Sequence, residues 1–273
     1  MRRKLLFLDL DGTLLDSAKR VSAANRDALS RALALGHGAV ITTGRPLRGA
    51  MALAQSLGLA GEGCYIVAFN GGLIYDCTAK SLLSYAALPR ETALEALQIC
   101  DEFGVHAQTY DETGVVVTPR WDDATLRRYC ALGGGLPSRV IPAWEQLDAP
   151  PCKVLAASYA DHAALRCLAD SLAPRLRGRA SCFFSCPDYF EIMPLGVSKG
   201  TALETLCELL RVPREDSIAV GDEENDLPML RAAGLGAAMA NAAASVKQAA
   251  DYVTDRDNDH DGVAEVIQKF MLP

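Results

Sequence analysis

Lys4-Leu5-Leu6-Phe7-Leu8-Asp9-Leu10-Asp11-Gly12-Thr13 is the stretch that decides how this chain is read. Lys4 to Asp9 is a short, mostly continuous apolar run, which suits a strand buried on both faces, as in parallel sheets. The run leads straight into two acids. Open α/β sheets gather their ligands at the carboxyl ends of parallel strands. Residues two apart on an extended chain face the same way, so Asp9 and Asp11 are expected on one side. Like charges that close are costly unless a cation lies between them or one keeps its proton.

Outward from this stretch, Ser22 reads as the N-cap of a helix that carries Ala28, Leu29, Ala32 and Leu33 and stops at Gly36. Ala39 to Thr42 and Tyr65 to Phe69 read as further strands. Strands alternating with helices imply parallel pairing in an α/β layer. After about Leu82 the pattern changes. Helices are expected over Pro89 to Gly104, Trp121 to Leu132 and Asp161 to Leu176. Strand-like pieces lie between them at His106 to Tyr110, Gly114 to Thr118 and Lys153 to Tyr159, and a hairpin over Arg179 to Phe184 and Tyr189 to Met193 closes the region. From Ser198 the alternation resumes, with a helix to about Leu210, a strand over Ser217 to Val220, a helix over Leu227 to Ala233, a strand near Ala237 to Met239 and a last helix from Gly262. The expected fold is α/β, a Rossmann-like core with a parallel sheet over residues 1–82 and 192–273, interrupted by an inserted α+β cap domain over residues 83–191.

Three more clusters fall at or beside expected strand ends. Thr42-Thr43-Gly44-Arg45 offers a hydroxyl, a flexible backbone and a helix start, which together suit an anion. Lys199, just after the N-cap Ser198, sits in the first turn of a helix, where its charge opposes the dipole and points to an anionic partner. Gly221-Asp222-Glu223-Glu224-Asn225-Asp226 crowds acids at a strand terminus and invites a hard cation.

Together the four clusters resemble the motifs of the haloacid dehalogenase superfamily of phosphatases, matched here by Asp9-Leu10-Asp11-Gly12-Thr13, Thr43, Lys199, and Gly221-Asp222 with Asn225-Asp226. The long insertion, with Phe69-Asn70-Gly71-Gly72, Glu191-Ile192-Met193 and Gly196-Val197-Ser198-Lys199-Gly200, resembles the Cof-type branch. Essentially the whole chain is covered. Two positions depart from the branch: Ala240 precedes Asn241 where glycine is common, and His260 stands where an acid is usual.

The resemblance implies a phosphatase of small phosphorylated metabolites, such as sugar phosphates or phosphorylated cofactors. Asp9 would be the nucleophile, forming an aspartyl-phosphate, and Asp11 the general acid and base. Mg²⁺ would be held by Asp9, Asp222 and the backbone carbonyl of Asp11. Leu10, Thr43, Gly44, Lys199 and Asn225 would bind the phosphate, and Asp226 would orient a metal-bound water. Two rival readings stay open: a phosphosugar mutase, and a non-enzymatic receiver-like phosphate sensor. A dinucleotide enzyme is disfavoured, because the first strand leads to DxDGT and not to GxGxxG. The insertion holds no comparable grouping, so it is expected to select the substrate, with Trp121 and Tyr189 among the residues that set the ranking.

Composition narrows the partners. The 273 residues are half apolar and carry a formal charge of −7, which argues against a nucleic-acid surface. No apolar segment approaches the length of a membrane span, and no leader pattern opens the chain, so a cytoplasmic protein without a membrane or protein partner is expected. The nine cysteines form no CxxC pair, which favours reduced thiols over a zinc site. Asp257, Asp259, Asp261 and Gly262 mimic the opening of an EF-hand loop, but the closing acid would fall on Gln268. Asp261 is read instead as the N-cap of the last helix.

Overall fold

The computed structural model describes residues 2–120 and 123–273. It begins with β1 (Leu5–Leu8), α1 (Ala23–Ala34), β2 (Gly38–Thr42), α2 (Leu47–Ser56), β3 (Cys64–Ala68), β4 (Leu73–Asp76) and β5 (Ser81–Tyr85). The middle third holds α3 (Arg90–Glu102), β6 (His106–Tyr110), β7 (Val116–Thr118), α4 (Ala124–Leu132), β8 (Ser138–Val140), β9 (Val154–Ala157), α5 (His162–Arg175), β10 (Ala180–Cys186) and β11 (Tyr189–Pro194). The chain finishes with α6 (Lys199–Leu209), β12 (Ser217–Gly221), α7 (Leu227–Ala232), β13 (Leu235–Ala238), α8 (Ala244–Ala249), β14 (Tyr252–Val253) and α9 (Gly262–Phe270).

Two compact units result. One takes the chain up to Gly44, Ala50–Ser84 and Ser198–Pro273; the other takes Arg45–Gly49 and Tyr85–Val197. The first is the expected α/β core. Its sheet runs β14-β13-β12-β1-β2-β3-β4-β5. All pairs from β14 to β3 are parallel, and β4 turns back antiparallel on β3. Leu5, Leu6, Phe7 and Leu8 are buried, as a central strand with parallel neighbours on both sides requires. Leu8 lies beside Val220 on one side and Ile41 on the other, so the residues that follow all three strands emerge at one edge. Sequence order reverses direction at β1, between β12 and β2, which is a topological switch point.

The second unit is α+β, with a sheet ordered β10-β11-β9-β6-β7-β8 that is antiparallel except for the β7–β8 pair. Alternation divides its faces. Val154, Ala156, Phe190 and Ile192 join Leu97, Leu168 and Leu172 in an apolar core beneath α3 and α5. Gln108, Tyr110, Lys153 and Glu191 are buried as well, and their polar atoms are paired: Gln108 Nε2 donates to the Tyr110 hydroxyl at 2.8 Å, and Lys153 Nζ meets Glu191 Oε2 at 3.2 Å. The unit runs on to Val197; β11 pairs with β10 from Tyr189 to Pro194 and with β9 from Tyr189 to Ile192.

Several elements differ from the sequence reading. Strands β4, β5, β8 and β14 were not expected, and the helix start read beside Arg45 is followed by α2, whose extent was not read. The helix expected from Trp121 starts at Ala124, capped by Asp123, whose carboxylate accepts from Thr125 N and Leu126 N; Trp121 lies outside the described residues. Asp261 occupies the N-cap position of α9 but makes no capping bond, because its backbone is left-handed, at φ 68°. The other acids of the EF-hand-like run are used locally: Asp259 accepts from Ser17 N and Oγ, both at 2.7 Å, and Asp257 accepts from Asp259 N. No helix among the described residues is long and apolar enough to cross a membrane.

Candidate active site

The first residues beyond β1, β2 and β12 assemble the site within the α/β unit. Asp9 follows β1 directly, and its N–H still donates to Val220 O at 3.1 Å, which pins the residue to the adjacent strand. Its carboxylate is buried and its Oδ1 accepts from Lys199 Nζ at 2.5 Å. Lys199 is delivered by the first turn of α6, where Ser198 and Thr201 form a capping box. The same ammonium donates to Asp226 Oδ1 at 2.6 Å. The anion that Lys199 called for is therefore supplied, within the protein, by two carboxylates.

Asp226 has both oxygens committed, since Oδ2 accepts from the N–H groups of Asp222 at 2.9 Å and Glu223 at 3.1 Å. It thereby fixes the turn after β12 and the direction of Asp222. Asp222 Oδ1 accepts from Thr13 Oγ1 at 2.6 Å. Its Oδ2 lies only 2.2 Å from where a Cβ on Gly12 would stand, and Gly12 has φ +82°, so this position demands glycine on both counts. Carboxylate oxygens of Asp9, Asp222 and Asp226 all lie within 4.8 Å of one another.

One ammonium does not balance three buried acids. Burial pushes the Asp9 carboxyl up to about 8, against the opposing pull of Lys199 and with added repulsion from Asp226 and Asp222. Burial likewise lifts Asp222 to about 6, although the Thr13 hydroxyl favours its charged form. At Lys199 burial works to lower the pKa, but Asp226 and Asp9 together outweigh it and hold the ammonium above its usual range.

Asp11 lies in a turn rather than on an extended strand. The chain leaves the strand at Leu8 and turns, with Thr13 N and Leu15 N donating back to Leu10 O, so the period-two rule of an extended strand does not apply. Asp11 Oδ1 accepts from Lys19 Nζ at 2.7 Å, at a half-exposed position. Leu10 is fully buried in this turn. On the β2 side, Thr43 N donates to Val67 O at 2.8 Å, and Gly44 follows. Asn225 Nδ2 donates to Asn70 Oδ1 at 3.2 Å.

Sequence reasoning assigned no role to two residues that shape the site. Asn241 Nδ2 donates to Gly12 O at 2.7 Å, and Asn70 links Asn225 to the Thr43 turn. Neither carries a charge pattern; the signals were Asn in a turn context and, for Asn70, its place in the Phe69-Asn70-Gly71-Gly72 pattern.

This geometry has counterparts. A family model described as haloacid dehalogenase-like hydrolase matches residues 6–267. The chain is 30% identical over 272 residues to the putative phosphatase YxeH of Bacillus subtilis (strain 168), covering 98% of each chain. It is 32% identical over 282 residues to the 5-amino-6-(5-phospho-D-ribitylamino)uracil phosphatase YitU of the same organism, covering 98% of this chain and 97% of that one. A solved haloacid dehalogenase-like hydrolase from Bacteroides thetaiotaomicron superposes with a TM-score of 0.89 at 35% identity, over 98% of this chain and 99% of that one. The chain belongs to the haloacid dehalogenase-like hydrolase family, and its enzyme class is that of the phosphoric monoester hydrolases.

Proposed function

We propose that the protein hydrolyses phosphate monoesters of small cytoplasmic metabolites with Mg²⁺, through an aspartyl-phosphate on Asp9. The observation that carries the reading is the gathering of three buried carboxyl groups, Asp9, Asp222 and Asp226, at the carboxyl end of the central strand. Such a donor set, all carboxylate oxygen, fits a hard divalent cation. Asp9, Asp222 and the backbone carbonyl of Asp11 would hold it; Asp226, with both oxygens taken up by Lys199 and two N–H groups, serves to aim Asp222 and the water around the ion. When bound, Mg²⁺ supplies the positive charge that lets an ionised Asp9 approach a phosphate dianion.

The chain's own groups do the rest. An Asp9 oxygen attacks phosphorus as the ester oxygen leaves, and Asp11 gives that oxygen a proton. Asp11 then takes a proton from water as the water attacks phosphorus and the Asp9 carboxylate departs. The pair Asp11–Lys19 keeps this acid tethered at the mouth of the turn. Lys199 holds Asp9 in a single orientation, and with the backbone of Leu10, Thr43, Gly44 and Asn225 it holds the phosphate oxygens. The region 83–191 chooses the leaving group, while residues 1–82 and 192–273 carry out the transfer. YitU is named for a substrate that bears its phosphate on a polyol chain, and sugar, polyol or cofactor phosphates are the class proposed here.

The test is turnover of a small chromogenic phosphate ester and of a panel of phosphorylated metabolites. Steady release of inorganic phosphate with Mg²⁺ is expected, with loss of activity in excess EDTA. Absence of turnover with Mg²⁺, or full activity in EDTA, refutes the reading. Conversion of a hexose phosphate to its isomer without phosphate release would favour a mutase instead.

A further inference from the structure

Beyond the four clusters lies a loop with no assigned part, Phe69 to Gly72 after β3. Phe69 and Asn70 both have left-handed backbones, at φ 51° and 54°, and both are buried. Asn tolerates that region through its short polar side chain, but Phe has no such compensation. Two such residues in succession persist only where the surroundings hold them.

What holds them is the site itself. Asn70 N donates to Thr43 O at 3.0 Å. Asn70 Oδ1 accepts from Asn225 Nδ2 at 3.2 Å. The same carboxamide lies against Gly44, where an added Cβ would stand 3.0 Å from Oδ1 and 3.1 Å from Nδ2. Gly71, at φ +107°, passes so close to α6 that a Cβ would stand 2.2 Å from Ser198 O and 3.3 Å from Lys199 N. One short loop thus touches the second, third and fourth clusters together.

We propose that Asn70 is a positioning residue of the phosphate site, its carboxamide acting as a spacer between the Gly44 turn and Asn225. Gly44 follows β2 and Asn225 follows β12, on opposite sides of β1. Nothing in the sheet register alone sets the gap between their loops, and Asn225 has rotamer freedom that the bond to Asn70 removes. Displacement of a positioning group by about 1 Å costs on the order of 100-fold in rate. The inference rests on the phosphatase reading. Its competitor is that asparagine is present only because it accepts a left-handed backbone.

Asn70→Gly separates the two, since glycine keeps the backbone freedom and deletes the carboxamide. Wild type, Asn70→Gly, Asn225→Ala and the double variant should be compared for kcat/KM on a small chromogenic phosphate ester, for competitive inhibition by inorganic phosphate, and for thermal unfolding. Asn70→Gly is expected to unfold near the wild-type temperature, yet lose about 10- to 100-fold in kcat/KM and bind inorganic phosphate more weakly. Added to Asn225→Ala, it should change little further, because the two act as a unit. Wild-type kcat/KM and phosphate inhibition in Asn70→Gly overturn the proposal, as do fully multiplicative losses in the double variant. If Asn70→Gly does not fold, Asn70→Asp retains the backbone tolerance and the acceptor for Asn225 but sets a charge beside the phosphate. That variant should lose phosphate inhibition while staying folded; retained inhibition likewise overturns the proposal. A wild type inactive on every ester tested would instead sink the phosphatase reading and this inference with it.

Discussion

Lys199 is a single positive charge buried between Asp9 and Asp226, and removing it should be felt twice. In Lys199→Met, with EDTA present and at a pH above about 8, where Asp9 is ionised, two buried acids lose their counter-charge, and unfolding in urea should show a loss of about 3–5 kcal/mol. Activity should fall as well, since nothing then orients Asp9. A variant as stable as wild type in EDTA would mean the acids are protonated and the ammonium contributes little. The two acids of DxDGT separate by a different experiment. Asp9→Asn should abolish turnover, because no aspartyl-phosphate can form. Asp11→Asn should give a burst on an ester with a good leaving group and then stall, since the first step needs little protonation and the second needs a base. Equal steady-state rates in Asp11→Asn and wild type would remove Asp11 from the mechanism.

At the scale of elements, the capping box at α6 is what delivers Lys199. Ser198 Oγ accepts from Thr201 N at 3.1 Å, and Thr201 Oγ1 accepts from Ser198 N at 3.0 Å. Ser198→Ala should cost about 1 kcal/mol. If the helix start also sets the reach of Lys199, kcat should fall more than that change in stability alone would cause. A melting temperature equal to wild type would show that the cap is redundant with the packing of Gly71 on this turn.

The same scale shows what could be read in advance. Strands β1, β2 and β12 announced themselves as mostly apolar runs leading to Asp9, Thr43 and Asp222, because burial on both faces leaves only the terminal Thr42 and Ser217 to interrupt the pattern. Strand β4 was hidden, since Leu73–Asp76 follows two glycines and exists by pairing with β3, a tertiary fact. The start of a helix after β2 was legible, but the extent of α2 was obscured because its alanines give weak contrast between faces and Gly49 lowers its local propensity. Within the site, charged residues and their strand-end positions were legible. The turn that carries Asp11 was not, because it depends on where the chain stops being extended. Asn70 was quoted only as part of a family pattern, and its bond to Asn225 spans 155 positions of sequence.

For the whole molecule, the proposed division of labour is testable in the second unit. Tyr189 shares a hydrogen bond at 2.5 Å with the Tyr159 hydroxyl and meets the Tyr129 ring edge-on, with centroids 5.7 Å apart. Tyr189→Leu should reorder the preferred metabolites while leaving a small chromogenic ester nearly unaffected. Equal proportional loss on both, in a folded variant, would place the insert inside the catalytic machinery.

Strand β1 finds one of its two partners, β12, only near the end of the chain, and Asp9 is 190 positions from the lysine that orients it. During synthesis the insert, which takes Arg45–Gly49 and then Tyr85–Val197, has all of its residues in hand before β12 has been made, while β1, the strand that leads into Asp9, still shows a bare edge. An apolar strand with an unpaired edge is a template for unwanted pairing. Nascent chains arrested before Ser217 should therefore contain a protease-resistant insert, yet depend on chaperones to stay soluble. Release at full length should bring solubility and catalysis together.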